Sequence, residues 1–302
     1  MKMLRRSLGL STAYLLQSLP VVTLSIGCLL SSCSRRTAIL VGSKNFTEQL
    51  ILGEIAAQQI ERKLHIPVER RLNLGGTLLA HEALVHGDID LYPEYTGTAA
   101  SLVLKNSLSG DPLRVYREVC RIYRQRFHIE WLPPLGFNDT FAMVIRSQDA
   151  RNLPAPVLSA AAVRPWRLGM GFEFLTRPDG LRRLDAVYHL HWQGIPKTMD
   201  LGLLYSALRE KKIDMGAANS TDGFLADPAF VALEDDRHAF PPYSACYLVR
   251  ASALRANPGL QRALTMLSGR ISSTVMRNLN RLVQIKHQPV ERVARDFLAT
   301  QP

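Results

Sequence analysis

Short apolar runs alternate along the chain with longer stretches whose apolar residues recur every three or four positions. Ala38-Ile39-Leu40-Val41-Gly42 is an apolar run closed by glycine, the pattern of a buried strand. Leu52, Ile55, Ala56, Ile60 and Leu64 then repeat at helical spacing, with Pro67 beyond the end. Asn45 with Glu48 three residues on predicts a capped start for that helix. Val68 to Leu74 alternates as a second strand, Gly75-Gly76-Thr77 opens a second helix that Gly87 stops, and Ile89-Asp90-Leu91-Tyr92 reads as a third strand. Strands alternating with helices predict a mostly parallel α/β sheet.

The same unit recurs 124 residues later. Ala83-Leu84, Ile89-Asp90-Leu91 and Tyr95-Thr96 match Ala207-Leu208, Ile213-Asp214-Met215 and Asn219-Ser220. A further strand-to-loop start lies at Arg167-Leu168-Gly169-Met170-Gly171. Two similar α/β lobes are expected rather than a short-period solenoid. Ligands in open α/β sheets sit off the carboxyl ends of the strands, so the loops at Tyr95-Thr96-Gly97-Thr98 and Asn219-Ser220-Thr221-Asp222 should face one site.

The N-terminus reads as an address. Lys2, Arg5 and Arg6 form a basic start, Leu8 to Leu30 is mostly apolar, and Leu30-Ser31-Ser32-Cys33 resembles a bacterial lipobox. Residues 1–32 are expected to be a lipoprotein signal peptide, with Cys33 lipidated and residues 33–37 a tether to the membrane face. Beyond residue 32 no apolar run approaches the ~20 residues of a spanning helix. Cys120 and Cys246 remain, either paired after export or as two isolated buried thiols.

With 302 residues, 47% of them hydrophobic, the chain has ample material for packed cores. Lys+Arg exceeds Asp+Glu by 37 to 26, but the excess is scattered as single arginines and short pairs such as Arg182-Arg183 and Lys211-Lys212. A nucleic-acid binder would concentrate it among aromatics, so no nucleic-acid partner is expected. Catalytic motifs are missing too. His81 and His86 stand at i and i+5, roughly 140° apart on a helix, so they diverge where a zinc motif needs i and i+4, and both read as surface histidines. Gly169-Met170-Gly171 lacks the third glycine of a dinucleotide fingerprint, and there is no phosphate-binding loop or Gly-x-Ser-x-Gly elbow. No cofactor, metal or catalytic residue is expected, and an enzyme is disfavoured.

What remains is recognition chemistry. Aromatics fall beside loop signals at Phe46, Tyr95, Phe137, Phe141, Phe172 and Tyr243, of which Tyr95 and Tyr243 lie among polar and turn residues rather than apolar runs. A ring offers its negative face to a cation, worth up to about 2 kcal/mol when desolvated. Lys44, Thr98 and Arg177 are placed to hold a carboxylate.

Eight ordered blocks then carry a resemblance. Gly42-Ser43-Lys44-Asn45-Phe46-Thr47-Glu48-Gln49, Asn73-Leu74-Gly75-Gly76-Thr77 and Asp90-Leu91-Tyr92-Pro93-Glu94-Tyr95-Thr96-Gly97-Thr98 come first. Gly136-Phe137-Asn138-Asp139-Thr140, Phe174-Leu175-Thr176-Arg177-Pro178-Asp179-Gly180, Ser220-Thr221-Asp222-Gly223, Leu233-Glu234-Asp235-Asp236 and Phe240-Pro241-Pro242-Tyr243 follow. Together, over about Ile39 to Leu298, the chain resembles the osmoprotectant (glycine betaine/choline/carnitine) binding proteins of ABC transporters. The resemblance implies an α/β, two-lobed type II periplasmic-binding fold that closes on its ligand. Lobe I would be 38–138 plus 242–302 and lobe II 139–241, with crossings near Asn138-Asp139 and Pro241-Pro242.

It implies an exported, lipid-anchored, monomeric protein that delivers a small quaternary amine or zwitterion to permease and ATPase subunits. By position, the family's cage tyrosines fall on Tyr95, Phe141, Asn219 and Tyr243, its carboxylate contacts on Lys44, Thr98 and Arg177, and its cage floor on Asp139. Phe141 keeps a ring without the hydroxyl; Asn219 replaces a wall with an amide donor and acceptor. Alternatives are a different amino-acid-like zwitterion in the same fold, or a sensor or enzyme derived from it.

Overall fold

The computed structural model describes residues 38–106 and 110–301, and the expected signal peptide and Cys33 lie outside them. The described residues form one compact unit. It contains two five-stranded sheets of matching order. In the first, β2 (Val68–Arg71), β1 (Ile39–Gly42), β3 (Leu91–Tyr95), β10 (Ala245–Arg250) and β4 (Ile129–Trp131) lie side by side. In the second the order is β7 (Lys197–Thr198), β6 (Leu168–Met170), β8 (Met215–Asn219), β5 (Phe141–Arg146) and β9 (Phe230–Leu233). Each has three parallel strands and then one antiparallel to both its neighbours, β10 or β5. The chain runs from β4 into β5 through residues 132–140 and returns from β9 into β10 through residues 234–244.

The repeat in the sequence has a structural counterpart. Asp90, just before β3, accepts from the Leu40 N–H of β1 through Oδ2 (2.9 Å). Asp214, just before β8, accepts from the Arg167 N–H, one residue ahead of β6, through Oδ2 (3.3 Å). The glycines repeat as well: a Cβ at Gly42 would lie 2.5 Å from Ile89 Cδ1, and one at Gly169 would lie 2.5 Å from Ile213 Cδ1. In both lobes the Ile-Asp step therefore packs its isoleucine on a bare stretch of strand and fixes the neighbouring strand with its carboxylate.

The long helix α1 (Thr47–Leu64) buries Ile51, Leu52, Ile55, Ala56 and Ile60. Its other neighbours come from the far end of the chain: Gln58 donates to the Glu291 carbonyl (2.9 Å) and Arg62 to that of Leu298 (2.6 Å). The C-terminal helices thereby pack back onto the first sheet's lobe.

Four expectations need correction. Asn45 does not cap α1: the helix starts at Thr47 after Phe46, with no side-chain cap. Glu48 instead turns into the interior. The second strand ends at Arg71 rather than Leu74, and the third runs to Tyr95, putting that residue on a strand end; Thr96–Thr98 is already helical. His81, on α2 (Thr77–His86), is buried at 3% exposure, its ring edge-on to Phe127 (4.8 Å) and Tyr123 (5.5 Å). Burial lowers its pKa and so favours the neutral ring. Of the two, His86 alone lies at the surface. Cys120 and Cys246 are free thiols. Among the described residues no helix is long and apolar enough to cross a membrane.

Candidate ligand-binding cleft

The carboxyl ends of β1, β3 and β8 open on a cleft of about 1120 Å³. All eight positions singled out in the sequence line it: Lys44, Tyr95, Thr98, Asp139, Phe141, Arg177, Asn219 and Tyr243. Hydrogen bonds link its two sides. Glu173 accepts from the Thr77 N–H at the start of α2 (3.2 Å), Arg177 Nη1 donates to Thr98 Oγ1 (3.2 Å), and Tyr243 Oη donates to Asp179 Oδ2 (2.6 Å).

Three rings shape the interior. Phe141, on β5 directly opposite Asn219 on β8, packs edge-on against Phe174 (4.8 Å) and Tyr243 (5.7 Å). Tyr95 stands at the end of β3, stacked at 6.4 Å on Phe46. Gly97 lets Tyr243 approach, since a Cβ there would lie 2.6 Å from Tyr243 Cδ1 and 2.8 Å from the Pro242 carbonyl oxygen.

Both expected cations carry their own carboxylates. Lys44, 3% exposed, is 2.6 Å from Glu94 Oε1, and its Nζ stands 4.6 Å from the Tyr95 ring centre. Arg177, 4% exposed, grips Asp179 with Nε (2.9 Å) and Nη2 (2.7 Å). Its Cζ lies 4.9 Å from the Phe141 ring centre and 5.5 Å from that of Tyr243. Burial works against the Arg177 charge, but the Asp179 hydrogen bonds outweigh it and raise the guanidinium pKa. Burial likewise opposes ionisation of Asp179, and Arg177 outweighs it, holding the carboxyl below its ordinary value. The ring faces expected to meet a ligand cation are thus partly turned to the protein's own cations.

The negative side of the cleft is different. Asp139, 7% exposed, accepts from Thr221 Oγ1 (2.7 Å) through Oδ1 and from Asn219 Nδ2 (3.0 Å) through Oδ2. Asn219 therefore fixes Asp139 rather than forming a wall. Glu48, 3% exposed, accepts from Tyr95 Oη (2.6 Å) and Asn280 Nδ2 (2.9 Å) and lies 2.5 Å from Thr221 Oγ1. Asp222 follows, bonded to Gln284 (2.9 Å) and Tyr205 (3.1 Å). Burial is the leading cause that pushes Glu48, Asp139 and Asp222 above ordinary carboxylate values, Asp139 well above.

Glu48 and Asn280 were not among the expected site residues, and Thr221 was expected only as part of a loop facing the site. Glu48 and Thr221 stood inside quoted blocks, so their neighbours carried a signal. Asn280 lies on the helix Ser273–Gln284, where only tertiary packing brings it to the site.

The fold and cleft define a type II periplasmic binding protein: two sheets of matching topology with a ligand-sized cleft between their strand ends. Residues 37–300 match the family model described as the substrate binding domain of ABC-type glycine betaine transport system, and the chain belongs to that family. Its members are substrate-binding transport proteins rather than enzymes, so the enzyme alternative falls away, and as parts of ABC importers they work outside the cytoplasm.

Among its relatives, the ergothioneine transport permease/ergothioneine binding protein of Helicobacter pylori is 33% identical over 86% of this chain; the match spans 47% of that protein, about half its length. The carnitine transport binding protein of Listeria monocytogenes is 30% identical over 92% of this chain and 94% of its own. A crystal structure titled as a glycine betaine/carnitine/choline ABC transporter superposes with TM-score 0.75 at 28% identity, covering 86% of this chain and 97% of that one. The chain is therefore a substrate-binding protein of the ABC-type glycine betaine transport family.

Proposed function

We propose that this chain is a lipid-anchored receptor that captures a quaternary-amine osmoprotectant in the cleft and hands it to an ABC permease. One observation carries the ligand reading. Rings at Tyr95, Phe141 and Tyr243 share one cleft with two buried carboxyls, Glu48 and Asp139, that have no cation partner among the described residues. A quaternary ammonium cannot donate a hydrogen bond, and aromatic faces with nearby negative charge suit it. Thr98 and Arg177 would meet a carboxylate at the other end of a zwitterion. Lobe I is assigned to 38–138 plus 242–302 and lobe II to 139–241, closing on ligand because only the shut form lets both lobes touch it. Leu78, Leu79 and Phe172, exposed at the cleft mouth, offer apolar surface to a permease.

The test is calorimetry and thermal shift on the chain from Ser34, with choline, glycine betaine and carnitine. At about 100-fold excess over Kd a true ligand stabilises by roughly 2.7 kcal/mol. No shift with any of the three would overturn the ligand reading. For the anchor, Cys33→Ala should release the chain from membranes or leave it unprocessed; unchanged processing and membrane association would refute it.

A second reading, a larger zwitterion with an extra polar group, is favoured by the amide at position 219. The Helicobacter pylori relative, named for ergothioneine, supports it. Asn219→Tyr separates the readings. A gain in glycine betaine affinity supports the small-ligand cage. Loss of a polar zwitterion's binding supports the larger ligand.

A further inference from the structure

At the floor of the cleft two carboxyls compete for one hydroxyl hydrogen. The Thr221 hydroxyl carries a single proton, yet its Oγ1 stands 2.5 Å from Glu48 Oε2 and 2.7 Å from Asp139 Oδ1. Both separations are hydrogen-bond distances between oxygens. Thr221 donates to one carboxyl only. The other contact needs a hydrogen from the carboxyl itself, with the threonine oxygen accepting. The remaining donors leave this count unchanged: Tyr95 Oη serves Glu48 Oε1, Asn280 Nδ2 serves Glu48 Oε2, Asn219 Nδ2 serves Asp139 Oδ2, and the Thr221 N–H serves Asp139 Oδ1 at 3.4 Å without supplying the second hydroxyl hydrogen.

The surrounding charges do not relieve the pair. From β3 comes Tyr95, neutral because burial raises its pKa far above the ordinary value. Asp222, beside Thr221, adds a third carboxyl. From the helix Ser273–Gln284, Arg277 directs Nη2 to the Ser220 carbonyl (3.0 Å). Lys44 is held by Glu94 and Arg177 by Asp179. His287 lies exposed at the mouth. Burial, and for Asp139 the nearby Glu48 charge, both favour a protonated carboxyl here.

A separate atom points to a ligand. Asn280, 2% exposed, lines the same cleft, and its Nδ2 donates to two acceptors, Glu48 Oε2 and the Thr221 carbonyl (both 2.9 Å). That fixes the orientation of the amide and leaves its buried Oδ1 with no partner. A hydroxyl or N–H on the incoming molecule would satisfy it.

We propose that Glu48, Thr221 and Asp139 form a proton-exchanging cation subsite. The empty cleft holds one proton between the two carboxyls; an entering quaternary or protonated amine replaces it, and the proton leaves to solvent. One positive charge succeeds another, so the buried pair never faces two uncompensated negative charges. This inference rests on the quaternary-amine reading above. Affinity for the cation rises with pH, by about tenfold per pH unit while one proton is released, and levels off above the pKa of the empty unit.

Two measurements test it. Infrared difference spectra of the ligand-free protein, wild type minus Asp139→Asn and wild type minus Glu48→Gln, read the stored proton without any ligand. A carbonyl stretch of a protonated carboxylic acid, lost in at least one variant, is expected; its absence in both differences overturns the stored proton. Choline titrations in buffers of differing ionisation enthalpy then count protons. Net release approaching one per choline, unchanged by His287→Gln and abolished by Asp139→Asn, is expected. Choline binding with no net proton release overturns the exchange. If neither choline nor glycine betaine binds, the quaternary-amine reading and the exchange built on it both fall, while the infrared result alone still decides whether the empty unit stores a proton.

Discussion

In one part of the cleft Arg177 meets Asp179 at 2.7 Å under the rings of Phe141 and Tyr243; in another, Glu48 and Asp139 converge on Thr221. Both clusters are buried, and they handle the cost of burial in opposite ways. The first is closed, with charge matched by charge and two parallel N–H···O bonds from Nε and Nη2, so that Arg177 has mainly Nη1, here on Thr98, to turn to a ligand carboxylate. The second relies on neutral donors and keeps its negative charge open to an incoming cation. An inventory of residue types would assign the anion to Arg177 and the cation to the rings. The pairing in space moves cation recognition toward the carboxyls, with the rings as apolar walls.

The largest expected effect breaks the closed cluster. Arg177→Met leaves Asp179 buried and unpaired, and should cost about 3–5 kcal/mol in urea denaturation. Pairing it with Asp179→Leu should recover most of that loss, because the orphaned charge goes too. If the double variant is no more stable than the single one, the pair is not the source of the cost.

Next comes the close approach that seats Tyr243. Gly97→Ala forces a methyl against the Tyr243 ring and the Pro242 carbonyl, and overpacking of this kind costs about 1–3 kcal/mol. Ligand affinity should fall with stability, since the ring is also a cleft wall. Unchanged thermal stability and affinity would contradict the contact.

Sharpening the open cluster calls for pH. Glu48 and Asp139 have folded-state pKa values raised above those of the unfolded chain. The folded state therefore binds more protons, and the stability these groups contribute is fully present below the unfolded carboxylate pKa and is lost as pH rises through the raised values. Asp179 runs the other way: its lowered pKa contributes stability above the unfolded value, lost as pH falls through the folded one. On titration upward from about pH 4 the ligand-free protein should lose stability, and Asp139→Asn should flatten that loss. A wild-type profile flat over that range would contradict the open cluster.

The smallest effect is Tyr243→Phe, which removes the hydroxyl on Asp179 and keeps the ring. About 1–2 kcal/mol of stability is expected to go, with choline affinity nearly unchanged.

Much of this was legible locally. The two Ile-Asp steps are short motifs that recur 124 residues apart, so the duplicated architecture could be read from one chain even though Asp90 and Asp214 each meet a partner 50 and 47 residues away. Lys44, Tyr95 and Arg177 sit in short blocks whose spacing carries the resemblance. Pairings that depend on packing were not legible. Glu48 reads as a capping partner because Asn45 stands three residues before it, and only the approach of Thr221, 173 residues on, and Asn280, 232 residues on, shows it to be part of the cleft. His81 reads as a surface histidine until the helix Pro112–Phe127 brings Tyr123 and Phe127 against it. Lys44 reads as a free cation because nothing local points to Glu94, 50 residues on. Arg177 reads as free although Asp179 stands only two residues away, because that spacing alone does not say the two side chains turn toward each other.

The most direct measurement compares choline with its neutral carbon isostere, 3,3-dimethylbutan-1-ol, by calorimetry on the chain from Ser34. The two have the same shape and hydroxyl and differ in the positive charge. Recognition by Glu48 and Asp139 predicts choline binding tighter by tenfold or more, about 1.4 kcal/mol or beyond, with the gap collapsing in Asp139→Asn. Equal affinity for the two in the wild type would show that shape alone fills the cleft, contradicting a site built around unpaired negative charge.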